Sequence, residues 1–203
     1  MRHLNRFSLL LATTLLASPA AFAGDKYDMD KAHTNVLFFI DHLGFSQTIG
    51  RFDDVNGTLM LDEKAPEKSV VDVTIKATSI NTQSPELNEH LQKPDWLDTA
   101  KYPDIRFVTT SVKRTGDQTA DVTGNLTLHG VTKPVVLKTT LNKADYFQMA
   151  DAWVAGFNAE TTIKRSDFGV SNGIPFVGDD MKIMISTEFH NKEKKRPFPE
   201  AKH

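Results

Sequence analysis

Apolar and polar residues alternate along most of this chain. Around residue 38, Val36, Phe38 and Ile40 fall on one face of an extended strand. The same period of two recurs in further stretches, which are 49–61, 71–77, 105–109, 122–128, 135–141, 152–165 and 181–189. Because successive side chains of a strand point to opposite faces, the pattern predicts about eight strands that are buried on one side only.

These strands favour one architecture. Strands with one polar face do not suit a parallel sheet covered by helices on both sides. An antiparallel sheet that closes into a barrel leaves no unpaired edge. One segment, 84–103, breaks the period, because Pro85 precedes good helix formers and Leu87 and Leu91 are four residues apart. The sequence therefore predicts an all-β, eight-stranded antiparallel barrel with a short helical insert.

The first 23 residues have the three parts of a secretory signal peptide. Arg2 and Arg6 give the positive start, 9–17 is a short apolar run, and 21–23 is a small-x-small cleavage site. We therefore expect residues 1–23 to be removed, the mature chain to begin at Gly24, and the protein to lie in the periplasm. Residues 24–190 are expected to form the barrel.

Composition excludes several classes of site and partner. The chain has no cysteine, so disulfides, thiolate metal sites and cysteine nucleophiles are absent. A formal net charge of −2 gives no electrostatic reason to expect a nucleic acid partner. The charged, proline-containing stretch 191–203 has no periodicity, and we expect it to be a disordered tail rather than a contact for anionic membranes.

The histidines and paired carboxylates do not indicate chemistry. Apart from His3 in the signal, the histidines show no i,i+4 pair and no close cluster with Asp or Glu, so no metal site is expected. The chain has no G-x-S-x-G motif. Asp53-Asp54 and Asp179-Asp180 are adjacent in sequence and are interpreted as turn residues. We therefore predict no catalytic residues and no cofactor.

Five stretches, taken in order, resemble the YceI-like family of exported polyisoprenoid-binding proteins. They are "YDMDKAHTNVLFFIDHLGFSQTIGRF" near the start, "SINT" at 79–82, "YPDIRF" at 102–107, "VTGNLTLHGVTKPV" at 122–135 and "RSDFGV" at 165–170. The resemblance covers about residues 26–189. It departs from the family's usual pattern at Thr34, where serine is common.

The resemblance implies an extended, lipocalin-like barrel that holds a long isoprenoid lipid, of the quinone or polyprenyl phosphate type, in its lumen. It also implies a binding or carrier protein and a homodimer. We further expect no enzymatic activity, because the sequence has no arranged nucleophile, base or metal set, and a transient contact with the membrane surface. The sequence by itself does not decide whether the lumen is hollow, because an eight-stranded barrel either fills with side chains or holds one slender ligand. A stress-related interaction module with a filled barrel and a lipid-modifying enzyme are the alternatives.

If the lumen is hollow, the inward faces of the strands and the insert supply its lining. The predicted lining residues are Val36, Phe38, Ile40, His42, Phe52, Val73, Ile75, Leu91, Trp96, Phe107, Leu126, Leu128, Phe157, Phe168, Ile183 and Ile185. Leu87, Leu91, Trp96 and Leu97 of the insert either cover an opening of the barrel or complete its core. His129, next to Gly130, is interpreted as part of a strand–turn–strand corner rather than as a catalytic residue.

Overall fold

The computed structural model describes residues 24–194. The predicted signal peptide, 1–23, and most of the predicted tail, 195–203, lie outside the described residues. The strands are β1 (Asp25–His42), β2 (Ser46–Phe52), β3 (Val55–Leu61), β4 (Val70–Lys76), β5 (Ile80–Asn81), β6 (Asp104–Arg114), β7 (Thr119–Leu128), β8 (Val131–Phe147), β9 (Ala152–Lys164) and β10 (Val177–Asn191). The helix α1 is Pro85–Leu91, and short 3-10 turns lie at 66–68, 77–79 and 165–168.

All the strands belong to one antiparallel sheet that closes on itself. Each of the strands from β6 to β9 pairs with the next along the chain, and β10 pairs with β1 to close the barrel. The long strand β1 pairs with β3 through its first residues and with β2 through its second half. Because β2 and β3 lie end to end beside β1, and β4 and β5 lie end to end beside β3 and β2, the ten strands fill eight positions around the barrel. The predicted fold class is confirmed.

The stretch 49–61, predicted as continuous, is divided by Asp53 and Asp54. These residues leave the edge of β1, and their backbone groups bond elsewhere: the Asp53 amide donates to the Ser79 carbonyl (3.0 Å), and the Asp54 carbonyl accepts from the Lys76 amide (2.9 Å). The interruption therefore leaves these two backbone groups hydrogen-bonded.

The corner between β7 and β8 is a two-residue turn made by His129 and Gly130. Both residues have positive φ, 52° and 75°, as a tight hairpin turn of this kind requires. A side chain on Gly130 would collide with the Tyr102 ring. The His129 ring packs edge-on against Tyr102, and its Nδ1–H donates to the Phe168 carbonyl at 3.3 Å. The predicted structural role of His129 is confirmed.

The helical insert begins with a standard cap. The Ser84 hydroxyl accepts a hydrogen bond from the Leu87 amide, and Pro85 occupies the first turn. The helix contacts β5, whose only strand partner among residues 24–194 is β2. The insert therefore lies where the sheet has a short free edge. Within residues 24–194, no helix is long and apolar enough to cross a membrane.

The buried apolar residues form two clusters toward opposite ends of the barrel. We call the end with α1, the β1–β2 turn and the 165–176 connection the helix end, and the end with the β6–β7 and β8–β9 turns the hairpin end. The helix-end cluster consists of Ala77, Ile105, Leu128, Val135, Ile163 and Phe168. The hairpin-end cluster consists of Tyr27, Leu59, Ala155 and Phe189.

The last described residues are tied to the barrel. Strand β10 continues to Asn191, and Lys194 Nζ lies 2.7 Å from Glu63 Oε1 and 2.9 Å from Asp25 Oδ2. Burial opposes the charge of Lys194, but the hydrogen bonds to Glu63 and Asp25 outweigh it and raise the pKa of the ammonium group. Residues 191–194, at the start of the expected tail, therefore contact the barrel.

Candidate binding cavity

A cavity of about 890 Å³ runs inside the barrel from the helix end to the hairpin end. Most of its wall is built from aliphatic and aromatic side chains on the inward faces of the strands. At the helix end the wall is completed by Leu91 and Trp96 of the insert. Such a volume lies within the range of ligand-binding pockets, so side chains do not fill the barrel. The alternative of a filled barrel does not fit this interior.

The alternation places nearly all of the predicted residues at this cavity. Fifteen of the sixteen line it, namely Val36, Phe38, Ile40, His42, Phe52, Val73, Ile75, Leu91, Trp96, Phe107, Leu126, Leu128, Phe157, Ile183 and Ile185. All four of the predicted cover residues, Leu87, Leu91, Trp96 and Leu97, line it as well.

Phe168 does not line the cavity, and its predicted place there is wrong. Its side chain, 2% exposed, packs in the helix-end cluster with Leu128 and Ile163. The residue lies in the 3-10 turn at 165–168, just before Gly169, which has a φ of 79°. A turn that follows a strand does not continue the strand's alternation, so the period of two does not give the direction of Phe168.

Arg165 is a cavity residue that the alternation does not predict. Its side chain is 3% exposed and donates to the carbonyls of Gly178 (2.8 Å), Val170 (2.9 Å) and Val177 (2.9 Å). Burial lowers the pKa of the guanidinium group. By binding these carbonyls, Arg165 fixes the connection between β9 and β10 against the helix end. The guanidinium group also lies 5.6 Å from the centre of the Trp96 ring.

Polar groups lie at both ends of the cavity, and their chemistry differs. At the helix end the lining includes the imidazoles of His42 and His90 and the Arg165 guanidinium group. At the hairpin end it includes the carboxylates of Glu63 and Asp117 together with the Arg114 guanidinium group. The long middle section is predominantly apolar. The cavity therefore suits a ligand with an extended apolar chain and a small polar group.

A closed antiparallel barrel around an apolar cavity of this size defines the class of small-molecule-binding β-barrels. Within that class, the chain belongs to the YceI-like family, because the YceI-like domain model matches residues 27–189. The resemblance seen in the sequence is thereby confirmed.

Relatives of the chain cover three quarters of it or more. A UPF0312 protein from Pseudomonas savastanoi pv. phaseolicola is 45% identical over 173 residues, which cover 83% of this chain and 88% of the relative. The Campylobacter jejuni YCEI protein, which has a crystal structure, is 32% identical in sequence. Its structure matches with a TM-score of 0.69 over 75% of this chain and 90% of that one. A polyisoprenoid binding domain from Saccharophagus degradans, 16% identical with a TM-score of 0.63 over 81% of this chain and 97% of that one, shares the fold.

Proposed function

We propose that this protein binds one long isoprenoid lipid, of the quinone or polyprenyl phosphate type, inside its barrel and carries it in the periplasm. The observation that carries the proposal is the apolar cavity of about 890 Å³ that runs between the two barrel ends. The Saccharophagus degradans domain of the same fold is described as binding polyisoprenoids, which supports this choice of ligand.

The energetics suit a carrier. Burying a methylene gains about 0.8 kcal/mol, so a chain of about forty carbons gains roughly 30 kcal/mol before costs. Non-covalent affinities do not exceed roughly 20 kcal/mol, so the ordering of a flexible chain must offset a large part of that gain. The length of the cavity and its polar ends then decide which lipid binds.

The polar ends favour one orientation of the lipid. Quinone carbonyls and phosphates offer acceptor oxygens, which suit the imidazole donors of His42 and His90 and the nearby positive charge of Arg165 at the helix end. At the hairpin end the carboxylates of Glu63 and Asp117 offset the charge of Arg114, so these lining groups offer a phosphate no net positive charge. In our proposal the head group lies at the helix end and the prenyl chain extends toward the hairpin end.

The insert acts as a lid in this proposal. Its four apolar residues, Leu87, Leu91, Trp96 and Leu97, line the cavity from a segment that is not part of the sheet. Their displacement would open the lumen without breaking the pairing of barrel strands. In this proposal the protein binds and releases the lipid without changing it chemically. An enzyme would instead release a chemically altered product.

The helix end also carries the apolar surface with which the protein would contact a membrane. Phe45 and Phe176 are 89% and 69% exposed, and their loops are joined by a hydrogen bond from the Leu43 amide to the Phe176 carbonyl (2.8 Å). Directly beneath them, the paired residues His42 and Val177 line the cavity. Inserting these side chains into a bilayer would place the opening beside its lipid source.

Location and assembly belong to the same proposal. Cleavage before Gly24 would release the protein into the periplasm, and N-terminal sequencing of the periplasmic protein should begin there.

A homodimer would cover the partly exposed Ile49 and Met184 on the outer face, and light scattering should give twice the chain mass.

Titration of lipid-free protein with a prenyl quinone tests the binding proposal. We expect saturation at one quinone per chain, with a change in Trp96 fluorescence, which a Trp153→Phe variant isolates because the chain has two tryptophans. Absence of saturable binding to either a prenyl quinone or a polyprenyl phosphate would contradict it.

A further inference from the structure

Four side chains that can bind a metal converge on the outer face of the barrel where its first and last strands meet. Asp30 of β1 lies opposite Glu188 of β10 in the register, and His190 follows two residues later on the same face. His33 is the fourth. One ligand atom from each of Asp30, His33 and Glu188 lies within 4.8 Å of the other two.

An irregularity in β1 brings His33 to this cluster. Between the pairs Asp30–Glu188 and Asn35–Ser186, four residues of β1 face a single residue of β10. The excursion is held by Asp30, whose Oδ1 accepts from the Ala32 amide (2.9 Å) and whose carbonyl accepts from the Thr34 hydroxyl (2.7 Å). As a result, His33 folds back, with Nδ1 2.6 Å from Asp30 Oδ2.

His190 provides an independent indication of a ligand. Its Nε2 atom is buried and has no hydrogen-bond partner among residues 24–194. The atom lies 3.5 Å from Asp30 Oδ2 and 3.5 Å from Glu188 Oε2. With zinc–ligand bonds of about 2.0–2.2 Å, two ligands of a tetrahedral ion are about 3.4 Å apart. The distances from His190 Nε2 to Asp30 Oδ2 and to Glu188 Oε2 therefore match the distance between two ligand atoms of one metal ion.

We propose that Asp30, His33, Glu188 and His190 bind a divalent transition-metal ion, with zinc as the best match. Two imidazole nitrogens and two carboxylate oxygens are a donor set that zinc accepts in tetrahedral geometry, whereas magnesium prefers oxygen ligands alone. To reach this geometry, His33 must move about 1 Å from Asp30. Its side chain is 65% exposed, so it has room to do so.

The site would act on the barrel rather than on the lipid. It joins β1 to β10, the pairing that closes the sheet, and its side chains face away from the lumen, because the alternate residue Phe189 lines the cavity. A bound ion would therefore stabilise the closure of the barrel. Its presence or absence does not depend on the proposed lipid function.

Calorimetry with zinc chloride on the tag-free, EDTA-treated protein tests this proposal. We expect one zinc ion per chain and a rise in melting temperature, with no comparable effect of magnesium. Replacing both imidazoles, in His33→Gln/His190→Gln, should weaken zinc binding at least about tenfold, because the loss of even a second-shell partner typically costs about 10–100-fold. Asp180→Asn, an exposed carboxylate elsewhere on β10, is the matched control and should bind zinc normally.

Cobalt gives a second readout that does not depend on stability. Tetrahedral Co²⁺ bound to the wild-type protein should absorb in the visible range, and the absorption should be lost in Glu188→Gln and in the double histidine variant. Retention of wild-type zinc affinity in the folded double variant, or no zinc binding by the wild-type protein, would overturn the proposal. Lipid content should be the same in all of these variants.

Discussion

Phe107 is the single residue that most directly probes the apolar wall. It lies on β6 between Val73 of β4 and Leu126 of β7, and all three line the cavity. Phe107→Asp would place an unpaired charge against the lipid chain, at a cost of several kcal/mol. We expect retained lipid to fall by about tenfold or more, measured by extraction and mass spectrometry.

The control for this substitution is Val136→Asp, which places the same charge on the exposed outer face of β8. It should leave lipid content unchanged. A folded Phe107→Asp protein that carries its lipid in full would show that the lipid does not contact this wall.

Asp179 makes a pH-dependent contribution to stability. Its carboxylate accepts hydrogen bonds from the Ser166 amide (2.9 Å) and hydroxyl (2.8 Å), which lower its pKa. A folded pKa below the unfolded value stabilises the fold at pH values above about 4, and the contribution disappears as the pH falls below that. Asp179→Asn should therefore cost about 1 kcal/mol at pH 7 and much less near pH 2.5.

Urea unfolding of the two proteins at both pH values measures this difference. An equal loss of stability at the two pH values would show that the charge of Asp179 is not responsible.

At the scale of elements, the insert should behave as a lid. Trp96 lines the cavity from a segment outside the sheet, where its ring packs near His90 and Arg165. Trp96→Ala should speed the exchange of bound lipid and lower the free energy of unfolding by less than about 2 kcal/mol, whereas a core tryptophan costs about 3–5. Stopped-flow exchange and urea unfolding measure the two effects; unchanged exchange with a large loss of stability would make Trp96 a core residue.

The loops of the helix end should control loading from membranes. Phe45→Ser/Phe176→Ser removes two exposed aromatic rings over the cavity, and we expect slower uptake of prenyl quinone from phosphatidylethanolamine–phosphatidylglycerol vesicles. Phe147→Ser/Met149→Ser removes two exposed apolar side chains from the β8–β9 hairpin at the opposite end. Equal effects of the two double variants would refute loading through the helix end.

The elements also show what local sequence patterns reveal and what they do not. The period of two located Phe38 and Ile183 correctly, because both lie within regular strands. It failed at Phe168, in a turn, and Asp179-Asp180, interpreted as a turn, lie instead within β10. There, cross-strand partners on β9 and the following turn, Lys164 and Ser166, hold the two carboxylates.

Long-range contacts were beyond the reach of these patterns. No local spacing places His190 beside Asp30, because only the closure of the barrel brings the last strand to the first. Arg165 was missed because a charged residue is not expected in an apolar wall, and its partners are backbone carbonyls, which carry no sequence signal.

The central claim concerns the whole molecule: one isoprenoid lipid occupies the barrel. Native mass spectrometry of the protein released from the periplasm without detergent, followed by organic extraction, tests it most directly. We predict a complex heavier than the chain by the mass of one lipid, and an extract in which that lipid is a prenyl quinone or polyprenyl phosphate in equimolar amount. A mass equal to that of the chain alone, with no prenyl lipid in the extract, would contradict the account.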